Sequence, residues 1–219
     1  MKNYVSEFLG TFFLIFFGTG AVIVNQELGS AGVVTHLGIC FVFGSVVTAI
    51  VYALGDISGA HINPSMTIGF GFLGLFPKKE ILPYIASQIV GALVASETLH
   101  LLFPNSNKGL GGTYPSGTDV QTIIIEIILT FFLFFVVVFC SQGKKEIQNY
   151  TGVMAGLVVF LEAAVCGPIE GASMNPARSI GPAVISGRID TLWIYLIAPP
   201  IGAILAALTY KYLAVSSEP

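Results

Sequence analysis

Six long apolar stretches alternate with short polar segments along the chain. A helix that crosses the hydrocarbon core of a bilayer needs about 20 predominantly apolar residues, with a range of about 17 to 25. Each of these stretches has that length, so we predict a membrane-spanning helix in each. The predicted spans are 4–24, 32–54, 81–103, 120–141, 151–168 and 191–213.

Two shorter segments between the spans carry the same phrase. Ser58–Gly69 reads SGAHINPSMTIG and Glu170–Gly181 reads EGASMNPARSIG, with six of twelve positions identical. Each segment is interrupted by Gly and Pro and is too short to span a bilayer. Matching broken segments in two halves of a membrane protein point to a substrate site near the midplane. We therefore expect two half-helices that meet in the middle of the membrane.

The first helix of each half also repeats. Glu7 opens the run EFLGTFFL in the first span, and Glu126 opens EIILTFFL in the fourth. Each half contains three spans, an odd number, so the second half enters the membrane from the opposite side. The sequence predicts an all-α membrane protein of six transmembrane helices plus two half-helices. We expect one transmembrane channel domain over 1–219, built from inverted repeats at about 1–104 and 119–219.

The Asn-Pro pair in each repeat has a specific structural meaning. Pro64 and Pro176 suit the first turn of a short helix, which makes Asn63 and Asn175 the N-cap residues. Their side-chain amides then donate into the lumen, where two opposed helix N-termini concentrate positive potential. Such a field repels cations and protons but admits neutral, hydrogen-bonding solutes. An ordinary Asn-Pro turn is the alternative, and two copies in matched contexts argue against it.

Composition excludes several other functions. The chain is 54% hydrophobic and only 10% charged, which leaves no room for a separate soluble domain. A net charge of −3 gives no reason to expect a nucleic-acid partner. Cys40, Cys140 and Cys166 lack the spacing of metal ligands. We predict no catalytic residues, no metal and no cofactor.

The basic residues predict the orientation. With six spans, the N-terminus, the second-to-third connection, the fourth-to-fifth connection and the C-terminus lie on one side. These segments carry Lys2, Lys78, Lys79, Lys144, Lys145 and Lys211. Lys108 and Arg188 fall on the other side. The positive-inside rule therefore predicts a multi-pass protein of the cell membrane with both termini in the cytoplasm.

Acidic residues inside the spans leave alternatives open. Glu7 and Glu126 either couple protons, as in a carrier, or accept hydrogen bonds from the backbone of a re-entrant loop. Their symmetric placement favours the structural role. Glu162 is the best candidate for an ionisable group on the path of an ion-coupled secondary transporter, the alternative of another class. Alternatively, Glu162 faces a neighbouring helix or subunit.

Taken together, these motifs resemble the aquaporin (major intrinsic protein) family over essentially the whole chain. Residues 167–183 resemble its nodulin-like intrinsic protein branch and the bacterial relatives of that branch. The resemblance implies a passive channel for water and small uncharged solutes, in a homotetramer. It also implies loop-supporting roles for Glu7, Glu126 and His61. The implied central constriction comprises Asn63, Pro64, Ser65, Asn175, Pro176 and Ala177.

In this family a narrower filter lies on the extracellular side, and the resemblance assigns it to Phe43, Ala163, Ala172 and Arg178. Water-selective members usually carry His where this chain has Ala163, so we expect a wider opening. That width fits glycerol, urea and metalloid acids such as arsenous, boric or silicic acid. Phe43 and Glu170 depart from the plant pattern and leave the preferred solute open. A water-selective aquaporin is the alternative within the family.

Overall fold

The computed structural model describes residues 1–27, 33–104, 106 and 109–215. These residues form nine α-helices and one 3-10 turn at Lys78–Glu80. The helices are α1 (Lys2–Glu27), α2 (Thr35–Ser58), α3 (Pro64–Leu73), α4 (Ile81–Leu102), α5 (Asp119–Ser141), α6 (Lys145–Gln148), α7 (Thr151–Glu170), α8 (Pro176–Ser186) and α9 (Leu192–Val215).

Six of these helices, α1, α2, α4, α5, α7 and α9, are long and apolar enough to cross a membrane. They coincide with the six predicted spans to within a few residues, and the predicted fold class is confirmed. The helices α2 and α7 run further than predicted, as far as Ser58 and Glu170. Each stops where a glycine takes the left-handed conformation, with φ of 85° at Gly59 and 96° at Gly171. Glycine adopts this conformation without a steric penalty and commonly ends helices.

The two halves pack in the same pattern. In the first half α1 lies against α4, in the second α5 lies against α9, and α2 pairs with α7 across the halves. A Cβ on Gly91 would approach the backbone nitrogen of Phe12 to 3.2 Å, and one on Gly202 that of Phe131 to 2.9 Å. Both glycines therefore allow close backbone contact at matching places, as small residues do between membrane helices.

The short helices α3 and α8 are the predicted half-helices. Each begins with a proline, Pro64 or Pro176, directly after the asparagine that caps it. Each also packs against the last long helix of the opposite half, α3 on α9 and α8 on α4. This exchange brings the N-terminus of each half-helix to the centre of the bundle.

Contacts at one end of the bundle join segments that the orientation argument assigned to one side. The hydroxyl of Tyr4 donates to Oε2 of Glu80 at 2.6 Å, which joins the N-terminus to the connection before α4. The Lys211 ammonium lies 4.9 Å from the centre of the Phe72 ring, which joins the C-terminal helix to α3. Lys108, which was assigned to the opposite side, lies outside the described residues.

Candidate functional site

Two re-entrant loops precede the half-helices, loop 1 at 59–63 and loop 2 at 171–175. In each loop two non-glycine residues have positive φ: Ala60 (46°) and Ile62 (44°) in loop 1, Ala172 (43°) and Met174 (54°) in loop 2. This conformation is costly for residues with a Cβ and persists only where the surroundings enforce it. The same strain at the same positions identifies both loops as segments held by their environment.

Glu7 holds loop 1. Its Oε1 accepts hydrogen bonds from the Ser58 hydroxyl at 2.8 Å and from the His61 N–H at 2.9 Å. Its Oε2 accepts from the Ile62 N–H and from Nε2 of Gln88, both at 2.7 Å. Backbone donors at membrane depth must be satisfied within the protein. Both oxygens of this buried carboxylate are therefore used to fix the loop.

Glu126 stands in the equivalent place behind loop 2. It accepts from the Ser173 N–H at 2.6 Å on Oε1 and from the Met174 N–H at 2.8 Å on Oε2. The neighbouring Glu170 accepts from the Ala172 N–H at 2.9 Å. Three backbone donors of loop 2 thus bond to two carboxyl groups, whereas the backbone donors of His61 and Ile62 in loop 1 bond to one.

A tyrosine supports the helix end before each loop. The Tyr84 hydroxyl donates to the Ser58 carbonyl at 3.0 Å, and the Tyr195 hydroxyl donates to the Glu170 carbonyl at 2.6 Å. Both tyrosines are fully buried. The sequence analysis missed this pair, although the two residues keep the spacing of Gly91 and Gly202 and would have been found by extending the repeat.

The two asparagines connect the loops to each other. Nδ2 of Asn63 donates to the Met174 carbonyl at 2.8 Å, and Nδ2 of Asn175 donates to the Ile62 carbonyl at 2.9 Å. The side-chain oxygen of each caps the first turn of its own half-helix. Each amide has two N–H groups, and the second is left for the cavity that both residues line. The reciprocal bonds across the centre were not foreseen from the sequence.

One cavity runs along the bundle past both loops. Its volume is about 130 Å³, enough for several water molecules at about 10–15 Å³ each. Of the residues selected from the sequence, those on its wall are Phe43, His61, Asn63, Ala163, Ala172, Asn175 and Arg178. The other selected residues are buried behind the wall: Glu7, Pro64, Ser65, Glu126, Pro176 and Ala177.

Arg178 is fixed at one end of this cavity. Its Nη1 donates to the Gly111 carbonyl at 2.8 Å, and its guanidinium carbon lies 5.0 Å from the centre of the Phe43 ring. Gly18 leaves the space that this ring occupies, because a Cβ there would lie 2.6 Å from Cδ1 of Phe43. A buried guanidinium held on two sides has a defined direction. The Gly111 carbonyl lies 67 positions away and gave no signal in the sequence.

Glu162 does not belong to this cavity wall. Its side chain is only 2% exposed, and neither carboxyl oxygen has a hydrogen-bond partner among the described residues. Of the two interpretations left open for Glu162, the structure therefore favours the one in which it faces neighbouring helices. The Glu162 carboxyl group is enclosed within the protein, and Glu126 is a nearby acidic group.

His36 has a structural contact. Its Nε2 lies 2.9 Å from the Ala164 carbonyl. That carbonyl loses its usual helical partner, because Pro168 follows four residues later and has no N–H. His36 is exposed and lies outside the cavity wall.

Six membrane-length helices around a cavity, with two half-helices meeting at its centre, define a membrane channel. The model of the major intrinsic protein family matches residues 1–210, and the chain belongs to this family, that of the aquaporins. It is 39% identical to aquaporin NIP1-1 of Zea mays, over 100% of this chain and 77% of that one. It is also 39% identical to nodulin-26 of Glycine max, over 100% of this chain and 80% of that one.

A solved structure agrees in fold. The aquaglyceroporin from Plasmodium falciparum superposes with a TM-score of 0.88 at 26% identity, covering 98% of this chain and 97% of that one. The protein is therefore a multi-pass membrane channel for water and small solutes. Members of the family are passive channels and not enzymes, so the predicted class of function is confirmed.

Proposed function

We propose that this channel conducts small uncharged solutes wider than water, namely glycerol, urea and neutral metalloid acids. Among the metalloid acids we expect arsenous acid to be the main solute, ahead of boric and silicic acid. The observation that carries the proposal is the composition of one end of the cavity. Phe43, Ala163, Ala172 and Arg178 all line it, and two of these four side chains are single methyl groups.

Each of the four residues has its own role in the proposed filter. The Arg178 guanidinium places N–H donors and a fixed positive charge at the wall, so it binds hydroxyl oxygens and repels cations. The Phe43 ring covers the apolar edge of a solute. Ala163 and Ala172 leave the width that a larger side chain would fill. The name of one structural relative, an aquaglyceroporin, supports glycerol as a solute of this fold.

The central barrier follows from the two half-helices. Asn63 and Asn175 each keep one amide N–H for the cavity at a point where two helix N-termini meet. The positive potential at this point opposes cations and protons. The two amide N–H groups form hydrogen bonds with neutral solutes, which pass one at a time. The constriction thus consists of these two residues and of Pro64, Ser65, Pro176 and Ala177, which shape the helix starts from behind.

Permeability measurements test the proposal directly. Proteoliposomes are compared by stopped flow for water, glycerol, urea, boric acid and arsenous acid, with and without ion gradients. We expect measurable flux of glycerol and of at least one metalloid acid, independent of any ion gradient. Conduction of water alone would favour the water-selective alternative, and flux that follows an ion gradient would favour a coupled transporter.

We further propose a homotetramer in the cell membrane with both termini cytoplasmic. The distribution of Lys residues supports the orientation. Large apolar side chains exposed on the outer faces of the helices support contact with lipid or with other subunits. Light scattering of the purified protein measures the number of subunits, and protease protection of terminal tags measures the orientation.

A further inference from the structure

The two repeats differ at their first position, where Ser58 stands in one and Glu170 in the other. The Ser58 oxygen accepts from the Ala60 N–H at 3.1 Å while its hydroxyl donates to Glu7 at 2.8 Å. Glu170 makes the matching acceptor contact through Oε1, with the Ala172 N–H at 2.9 Å. In loop 1, therefore, this position also supplies a donor to the anchoring carboxylate.

In Glu170 the second carboxyl oxygen is the atom left to supply that donor. Glu170 is fully buried, and its Oε2 has no N–H or O–H partner among the described residues. Glu170 and Glu126 accept hydrogen bonds from the N–H groups of consecutive residues, Ala172 and Ser173, so the two carboxyl groups lie side by side. A hydrogen bond between two carboxyl groups requires that one of them carry a proton.

Within the described part of the chain, Glu126 also lacks the other side-chain donor that Glu7 has. Gln88 supplies it in the first half, three residues before Gly91. The residue three before the matching Gly202 is Pro199, which has no donor at all. Both side-chain donors to Glu7 are thus replaced behind loop 2, one by a carboxyl group and one by proline.

The charged and titratable groups around Glu170 add little positive charge. Arg178 is the nearby cation, and its Nη1 is bonded to the Gly111 carbonyl. Glu162 is a third buried carboxyl group, without a hydrogen-bond partner in the described part of the chain. The titratable groups near Glu170 on the surrounding helices are Glu126 of α5, Cys166 of α7, Arg178 of α8 and Tyr195 of α9, and Glu162 of α7 lies near Glu126 and Cys166. Two adjacent buried carboxyl groups do not ionise together, because each charge disfavours the other.

We propose that Glu170 is protonated and that its Oε2–H group donates a hydrogen bond to Glu126. This hydrogen bond holds loop 2 in the way that the Ser58 hydroxyl holds loop 1. Glu170 is thus a positioning residue for Ala172 and Arg178. Loss of the proton leaves two facing carboxylates behind loop 2, which repel each other and partly cancel the positive charge of Arg178. This second consequence rests on the filter role proposed above for Arg178.

Infrared spectroscopy of the reconstituted protein detects the proton without reference to permeation. At neutral pH we expect the C=O stretching band of a buried, hydrogen-bonded carboxylic acid, and we expect Glu170→Gln to abolish it. Glu162→Gln is the matched control, because Glu162 makes no hydrogen bond to loop 2, and this variant should leave that band in place. A spectrum of Glu170→Gln that is unchanged in the carboxylic acid region would overturn the proposal.

The pH dependence of ion exclusion tests the link to the filter. In the wild type, cation leak should rise as the pH is raised far enough to remove the infrared band. Glu170→Gln and Glu170→Ser keep a donor to Glu126 at every pH, so both should lose that rise. An equal rise in these variants would overturn the link between the proton and the filter. Failure of the proposed solute selectivity would appear separately, as absent glycerol and metalloid flux with the band intact.

Discussion

Loop 1 and loop 2 share a backbone conformation and differ in the side chains behind and beside it. Residues at matched positions have the same positive φ, the same N-cap asparagine and the same tyrosine under the preceding helix end. Behind loop 1, one carboxylate, that of Glu7, accepts hydrogen bonds from two neutral side-chain donors, a hydroxyl and an amide. Loop 2 rests on two carboxyl groups and precedes an arginine. The shared features therefore set the path of the chain, and the differences set its chemistry.

Two further matched pairs show how far this division extends. In loop 1, Nδ1 of His61 lies 3.1 Å from the Thr67 hydroxyl. In loop 2, the Ser173 hydroxyl lies 2.6 Å from the Ser179 hydroxyl. The residues have changed while the contact between each loop and its half-helix has been kept. Beside them, Met66 of the first repeat corresponds to Arg178 of the second, so among the described residues of the two repeats only Arg178 brings a charge to the cavity wall.

The largest effect is expected from removing the anchors. Glu7→Ala leaves four buried donors without an acceptor, and each costs about 1–3 kcal/mol. Glu126→Ala leaves two backbone donors and the proposed donor of Glu170, one fewer than Glu7→Ala. We expect both variants to lose stability, with Glu7→Ala the more damaging. The measurement is the thermal midpoint and the yield of monodisperse protein in detergent, and an equal or reversed order would contradict the donor count.

The next effect concerns ion exclusion. Arg178→Met gives the second repeat the residue of the first and removes the fixed charge from the wall. A unit charge about 4 Å away contributes about 4 kcal/mol at an effective dielectric constant of about 20, so cation and proton leak should rise at least about tenfold. The leak is measured in proteoliposomes under an imposed voltage. Met66→Leu is the control in the other repeat, and a leak as large in that variant would remove the distinction between the loops.

Much of this scaffold follows from local sequence patterns. Apolar length predicts the six spans, and proline after asparagine predicts both half-helices and their caps, because these depend on residues adjacent in the chain. The contacts that join the repeats were not predictable in this way. The bond from Asn63 to the Met174 carbonyl and that from Arg178 to the Gly111 carbonyl end on backbone oxygens, which every residue has. No side-chain pattern marks such acceptors.

The internal repeat also predicts which residues of the two halves occupy equivalent positions. Extending the register of Gly91 and Gly202 pairs Tyr84 with Tyr195 and Gln88 with Pro199. The first pair would have predicted a common support, and the second a difference between the anchors. The burial of Glu162 away from the cavity, in contrast, depends on the rotation of α7, which a helix with few polar residues does not reveal.

A smaller, selective effect is expected from narrowing the proposed filter. Ala163→His adds a ring and a donor to the cavity wall that also carries Phe43 and Arg178, so glycerol flux should fall by a larger factor than water flux. Ala155→His places the same ring on the same cavity wall two helical turns away on α7 and serves as the control. Stopped-flow permeabilities to both solutes make the comparison. A proportionate fall of both fluxes in Ala163→His would mean that the limiting width lies elsewhere.

The smallest effect is expected where the Asn-Pro signatures themselves differ, at Ser65 in the first and Ala177 in the second. Ser65 is fully buried behind the cavity wall, and its hydroxyl has no partner among the described residues. Ser65→Ala removes a buried polar group that gains nothing from its burial, so it should stabilise the protein by up to about 1 kcal/mol and leave every flux unchanged. Thermal unfolding and stopped flow measure the two quantities. Ala177→Ser, the mirror change, buries a hydroxyl behind loop 2 and should destabilise by a comparable amount. If Ser65→Ala instead alters solute flux, then this hydroxyl contacts the solutes in the pore. The first repeat would in that case contribute to selectivity as well as to the scaffold.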